Sequence, residues 1–445
     1  MFSLSQNYLT RGFWGDEAWT SMISQLPYIE MLKTTAADFH PPGYYTVVEL
    51  LYKFFPPTEI VTRSISILFY LLTLLLIFKL ASEIKGKVFG VISTLVVAFN
   101  PIFFTYAFEA RNYTMFAFAA TGSIYFLVKL SALRQAQGKK GFWPSVLFVA
   151  FSTLGIYTHY YMFFTLAAQG LYLVLFDRKI FWLMVWLYVV TAILYLPWIP
   201  FLYSQVTSVG ESYWIGSIDK RTHFEAFLRI LGGEHQNAYR PWLFALSIAL
   251  LAVGLIQHIL RHHFEKPYLL IWLWAIVPFI VATLPGYQVD GFKFPFRPIF
   301  FWRYLINASV PLSMVMIHTG QRLPKYLFWF VVAVLLILSL VIDIQTFKRY
   351  PEGFKQIYEQ KVAGQIKKND KIVTVLPSFG EVLYYRNRFG LNNGLIVLPE
   401  GLVQFSGKSL LDAYVANGTV KIDDNPTGRY FEMRPGPMLE VRIKD

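Results

Sequence analysis

Ten stretches of this chain are nearly unbroken runs of apolar residues. Each is close to the roughly 20 residues that an α-helix needs to cross about 30 Å of hydrocarbon. They fall at 62–82, 88–107, 112–131, 143–158, 160–176, 180–200, 241–260, 267–284, 303–320 and 326–343. Apolar residues in blocks, rather than at the three- and four-residue spacing of a half-buried helix, exclude a single water-soluble core. Charge usage agrees, since only 15% of the 445 residues are charged and 55% are hydrophobic, against about 25% charged in a soluble domain. The reading is an all-α polytopic membrane protein.

Short cytoplasmic loops concentrate Lys and Arg, so orientation can be tested. With residues 1–61 outside, the inner loops hold Lys85 and Lys87; Arg134, Lys139 and Lys140; Arg178 and Lys179; Arg261 and Lys266; Arg322 and Lys325, with only Glu83, Asp177 and Glu265 acidic. The net charge of +13 then reports cytoplasmic loops and a basic phosphate site rather than a nucleic-acid surface. The absence of cysteine rules out disulfides, thiol nucleophiles and thiolate metal sites.

Three domains follow. Residues 1–61 form an external loop whose segment 43–55, apolar but too short to span, reads as an interfacial helix. Residues 62–343 form the transmembrane part. Residues 344–445 change composition: 371–376 and 394–398 read as buried strands and 354–366 as an amphipathic helix, giving a small extracytoplasmic α/β domain. An external N-terminal segment needs a preceding helix or signal to carry it across, so a first transmembrane helix is expected to be missing, making about ten or eleven in all. No internal repeat is visible.

The outer segments carry the chemistry. Asp16-Glu17 stands among aromatics. Asp38-Phe39-His40-Pro41-Pro42 follows, with Pro-Pro fixing the backbone after His40. Glu109-Ala110-Arg111-Asn112-Tyr113 lies at the outer junction of two spans, Arg303-Tyr304 at the mouth of another, and His159 between tyrosines at an outer turn. Each has a plain alternative. Asp16-Glu17 can be a solvated loop pair, His40 a helix cap, Arg111 and Arg303 snorkelling anchors, His159 a belt residue, and Lys293 and Arg297 loop charges. His262-His263 falls in an inner loop with no catalytic reading. Gathering of so many charged groups beside hydrocarbon on one face argues for a functional cavity.

In that order, Asp16-Glu17, His40-Pro41-Pro42, Glu109-Ala110-Arg111-Asn112-Tyr113 and Arg303-Tyr304 resemble the GT-C superfamily of membrane glycosyltransferases. The likeness is to the glycosyltransferase family 39 group of protein O-mannosyltransferases and aminoarabinose transferases, over about residues 11–340. The resemblance implies a GT-C fold and inverting transfer of a sugar from a polyprenyl-phosphate donor to an acceptor hydroxyl on protein, lipid or glycan, at the outer face of the cell membrane. It implies Asp16 as the base, with Glu17 beside it as a second catalytic carboxylate. Arg111, Arg303 and Tyr304 would bind the donor phosphate, and Asp38, His40, Glu109 and Tyr113 are further site candidates. No cofactor is required. Some relatives use a divalent metal ion, for which Glu17, His40 and His159, with Asp38, have suitable ligand chemistry, although no ligand spacing demands one. The alternative is a transporter or flippase of a lipid-linked sugar, which would favour internal repeats and midplane charges. A sugar-binding receptor would leave the acid and arginine pairs unexplained.

Overall fold

The computed structural model describes residues 6–135, 141–211, 215, 218–261, 266–286, 298–402 and 407–444. Lys139, Lys140, His262, His263, Glu265, Lys293 and Arg297 lie outside the described residues.

Six of the ten expected spans are helices long and apolar enough to cross a membrane: Glu59–Lys85, Tyr113–Leu133, Phe181–Thr207, Arg240–Gln257, Lys266–Gly286 and Lys325–Phe347. Large apolar side chains such as Leu71, Leu75, Trp182, Trp186, Phe330 and Ile337 remain exposed on them, as lipid-facing surfaces must. The expected span at 88–107 is a pair, Lys87–Ala98 and Pro101–Ala107, bent by 68°. Pro101 has no N–H to continue the first helix, and the Asn100 side chain accepts the N–H of Phe103, starting a new helix. Phe142–Thr158 and Met162–Phe176 are apolar but shorter.

The expectation of a span at 303–320 does not hold in that form. Trp302–Ala308 is a 3-10 helix and Ser309–Gly320 is a helix buried on every side. A run that packs all round against protein carries the same apolar signature as one facing lipid.

Helix ends locate the charges. Glu59–Lys85 has Arg63 near one end and Lys85 at the other, about 33 Å apart at about 1.5 Å per residue. Lys85 Nζ and Arg322 Nη2 meet His318 at 3.1 and 3.0 Å, so those basic ends converge on one side of the bundle, away from Arg63.

The last part of the chain forms a five-stranded sheet: β1 (Lys371–Thr374), β2 (Leu395–Val397), β3 (Val420–Ile422), β4 (Gly428–Arg434) and β5 (Met438–Lys444), in the order β3-β2-β1-β4-β5. All neighbours run parallel except the β4–β5 pair. β1 and β2 match the two strands expected from sequence.

There are two main hydrophobic cores. One lies among the membrane helices. The other joins the first segment, through Phe13, Ala18, Trp19 and Met22, to the last, through Phe379, Leu383 and Leu410. Hydrogen bonds reinforce this junction. Phe13 N–H donates to the Tyr385 hydroxyl at 2.7 Å, Tyr414 donates to the Met22 carbonyl at 3.2 Å, and Tyr384 to the Pro57 carbonyl at 2.9 Å.

Candidate active site

A cavity of about 390 Å³ opens where the first segment, the bundle and the sheet unit meet. Asp16, Asp38, His40, Arg111, Tyr113, Arg303 and Tyr304 all line it, so seven candidates far apart in sequence come together. Trp14, Trp19, Phe39 and Phe301 supply aromatic walls, and Leu376, Phe379 and Glu381 close the side formed by the sheet unit.

Local structure sets each group. Asp16 occupies the first turn of the helix Gly15–Ile23, where the positive end of the helix dipole favours a carboxylate. Its side chain is 42% exposed, with Oδ2 lying 3.7 Å from Arg111 Nη2 and 3.8 Å from Arg303 Nη1. Arg111 follows the helix break at Ala107 and is buried; Nη1 donates to the Asp16 carbonyl and the Thr20 hydroxyl, both at 3.4 Å. Arg303 rests over Trp14 at 4.9 Å and reaches Glu234 at 3.6 Å. Nε of each arginine is buried without a hydrogen-bond partner, leaving a donor unspent on each.

His40 bonds Asp38 at 3.3 Å. Gly43, just beyond the prolines, lets the helix Gly43–Tyr52 approach closely, because a Cβ there would stand 2.6 Å from the Tyr157 carbonyl oxygen. His159 sits behind the lining, stacked on Phe116 and edge-on to Tyr304. Burial, then the charges of His40 and Arg111, hold its pKa well below the ordinary value. Its Nδ1 accepts the Tyr161 N–H at 3.1 Å, which places the proton of the neutral ring on Nε2.

Glu17 and Glu109 are corrections. Neither lines the cavity. Glu17 is fully buried beneath it, accepting from Arg63 Nε and Nη2, Arg11 Nη1 and the Ala110 N–H at 2.7–2.9 Å. Burial alone would raise its pKa, but Arg11 and Arg63 outweigh that and bring it to about 2. Glu109 accepts from the Tyr8 hydroxyl at 2.7 Å and from Arg11 at 3.3 Å. Burial, opposed by Arg11 and assisted by Glu17 and Glu234, pushes it up to about 7. With its lone pairs taken by two guanidiniums and an amide, Glu17 has none left for substrate or metal. The proposed metal trio of Glu17, His40 and His159 therefore does not converge, and among the described residues no cluster of three or more acidic or imidazole groups is placed to hold a metal ion.

Sequence reasoning missed Glu381, Glu234, Arg11 and Arg63. Arg63 carried a signal, a charge just inside an apolar run. Glu381 carried none. It lies against Gly15, and burial, then the charges of Asp16 and Glu17, push its pKa up to about 8.

Residues 39–203 match the family described as dolichyl-phosphate-mannose-protein mannosyltransferase. No curated protein sequence matches the chain. Among solved structures, ArnT from Cupriavidus metallidurans in its apo state is 15% identical, with a TM-score of 0.63 over 96% of this chain and 89% of that one. The same protein bound to undecaprenyl phosphate gives 14% and 0.62 over 96% and 90%. The oligosaccharyltransferase of Archaeoglobus fulgidus, tethered with an acceptor peptide, is 13% identical with a TM-score of 0.54, over 98% of this chain and 71% of that one. Together with the apolar helices, these matches support a multi-pass membrane protein whose fold is similar to that of ArnT and whose residues 39–203 resemble the protein mannosyltransferase family.

Proposed function

We propose that this protein is an inverting glycosyltransferase that moves a sugar from a polyprenyl-phosphate carrier to an acceptor hydroxyl at the outer face of the membrane. The observation that carries the reading is Asp16, a carboxylate open to the cavity and held loosely between two guanidiniums that each keep an unused N–H. Transfer needs a base and an anion site, and the cavity brings these within reach of one another.

In the reaction, Asp16 takes the proton of the acceptor hydroxyl. The acceptor oxygen attacks the anomeric carbon from the side opposite the phosphate, as inversion requires. The bond between that carbon and the phosphate oxygen breaks, and its electron pair leaves on the phosphate. Arg111 and Arg303 meet the growing charge with fixed, always-protonated donors. The aromatic surfaces around them lower the local polarity, which strengthens that interaction. Tyr304 and Tyr113 stand beside the arginines to bind phosphate oxygens, and His40, oriented by Asp38, faces the same space. Glu17 acts one layer down, fixing the helix that presents Asp16. The outer-face assignment is supported by the basic residues Lys85, Arg178, Lys179, Arg322 and Lys325 at the bundle ends away from the cavity. The sheet unit would then stand outside as part of the cavity wall.

The test is transfer by the purified full chain in proteoliposomes supplied with a radiolabelled polyprenyl-phosphate sugar and mixed acceptors. Label should move to an acceptor with inverted configuration, and Asp16→Asn should abolish this. Translocation of intact carrier without cleavage would replace this reading with a flippase.

A further inference from the structure

A second pocket lies apart from the cavity that holds Asp16, and its residues are not used by the transfer reaction. It is built by the helix Lys220–Gly232, the turn that follows it and the start of the helix Arg240–Arg261. Leu228, Gln236, Asn237, Ala238, Arg240 and Pro241 line a space of about 540 Å³. Gly233, with φ of 99°, allows the reversal between the helices, and its N–H caps the first one at the Arg229 carbonyl, 2.8 Å away.

Close pairing in this region is uneven, although Glu225 and Glu234 act on Arg240 from a distance. Arg11 is matched by Glu17 and Glu109, Arg303 by Asp16 and Glu234, and Arg229 by Glu225 at 3.7 Å. Arg349 donates to the Gln236 carbonyl at 3.1 Å, and Arg240 is only 7% exposed while its Nε and Nη2 have no hydrogen-bond partner. Among the described residues neither Arg240 nor Arg349 is paired with a carboxylate. His235 adds no charge, since burial and the guanidiniums of Arg349, Arg11, Arg229 and Arg240 bring its pKa down to about 4. A buried guanidinium with idle donors is expensive unless an anion joins it.

The Arg240 side chain is also held in place. A Cβ at Gly232 would stand 3.0 Å from its Cγ, so the stem packs against that glycine. Its backbone N–H donates to the Asn237 carbonyl at 3.2 Å, and the positive end of the helix Arg240–Arg261 points into the same space. Around the pocket Trp242, Tyr239 and Phe224 are exposed, the residue types that sit at headgroup level.

We propose that Arg240, with Arg349 held at the pocket's edge by the Gln236 carbonyl, binds a phosphate group at the membrane surface, at a site separate from the cavity that holds Asp16. The group comes either from the headgroup of an anionic phospholipid or from free phosphate. Gln236 and Asn237 line the same pocket within reach of the remaining oxygens. The inference stands whether or not the transfer reading does.

Native mass spectrometry of the full chain released from nanodiscs of phosphatidylglycerol and phosphatidylcholine reads the first source. Thermal melting in detergent with and without inorganic phosphate reads the second. Loss of a charge-assisted hydrogen bond should weaken retention by about tenfold or more. Retained phosphatidylglycerol that is lost in Arg240→Gln supports the site with a lipid headgroup as ligand. Phosphate-induced stabilisation that is lost in the same variant, without lipid retention, supports it with free phosphate. Equal behaviour of wild type and variant in both assays overturns the proposal. If Arg240→Gln does not fold, Arg349→Gln is read in the same way, with a partial loss expected. Transferase turnover should be unchanged in either variant.

Discussion

Asp16 and Glu17 are consecutive residues of one helical turn, yet they belong to two differently built regions. Around Glu17, two guanidiniums and a backbone amide sit at 2.7–2.9 Å and the carboxylate has no exposure to solvent. Around Asp16 the closest guanidiniums are 3.7 and 3.8 Å away, 42% of the side chain is open, and each arginine keeps an unpartnered nitrogen. The first region has spent its hydrogen-bonding capacity on itself and can only support. The second has capacity left, which a ligand can use. Two carboxylates that look alike in a motif are therefore separated by the packing of the layers above and below them.

The contrast can be broken from either side. Asp16→Asn should lower turnover by about 10²–10⁴-fold, the range for loss of a general base, while the melting temperature stays that of wild type. The reverse is expected of Glu17→Gln, which leaves Arg11 and Arg63 buried with a weakened partner. Breaking such a pair costs about 3–5 kcal/mol of stability, so melting should fall sharply before any kinetic effect can be isolated. A melting loss in the first variant equal to that in the second would erase the distinction.

How much of this was visible beforehand follows the same line. The apolar runs showed the helical class because hydrocarbon demands long uninterrupted segments. They did not separate a helix that faces lipid from one wrapped in protein, as Ser309–Gly320 is. Asp16, His40, Arg111 and Arg303 were legible because each sits at a helix end beside other polar groups. Glu381 was not, since it lies in an ordinary amphipathic helix of the sheet unit and reaches the cavity only through tertiary packing. The different fates of Asp16 and Glu17 were equally hidden, because Arg11, Arg63 and Ala110 arrive from three separate segments.

Smaller effects sharpen the comparison. Arg303→Ala, which removes one preorganised donor, should reduce turnover by about 10²–10³-fold, with little change in melting because Arg303 belongs to the looser region. Acid should act on the tight region first. The Glu17 carboxyl at about 2 lies below its ordinary 4.5, so it contributes stability at pH above 4.5 that is lost as pH falls toward 2. Melting followed from pH 6 downward should show a loss in wild type that is reduced in Glu17→Gln. Alkali should act on the cavity. With Glu381 at about 8, raising pH through that value places a second negative charge beside Asp16, and the alkaline limb of the pH–rate profile should flatten in Glu381→Gln.

The shared core of Phe13, Ala18 and Trp19 with Phe379, Leu383 and Leu410 also bears on when the protein can work. The helices between these segments leave the ribosome and enter the bilayer before the sheet unit has been made, so during that interval the cavity lacks one of its walls. The cavity would then be unfinished, with Asp16 unsupported on the side that Leu376, Phe379 and Glu381 close. Under the proposed transfer reading, the site is therefore complete only once the last segment has folded onto the first.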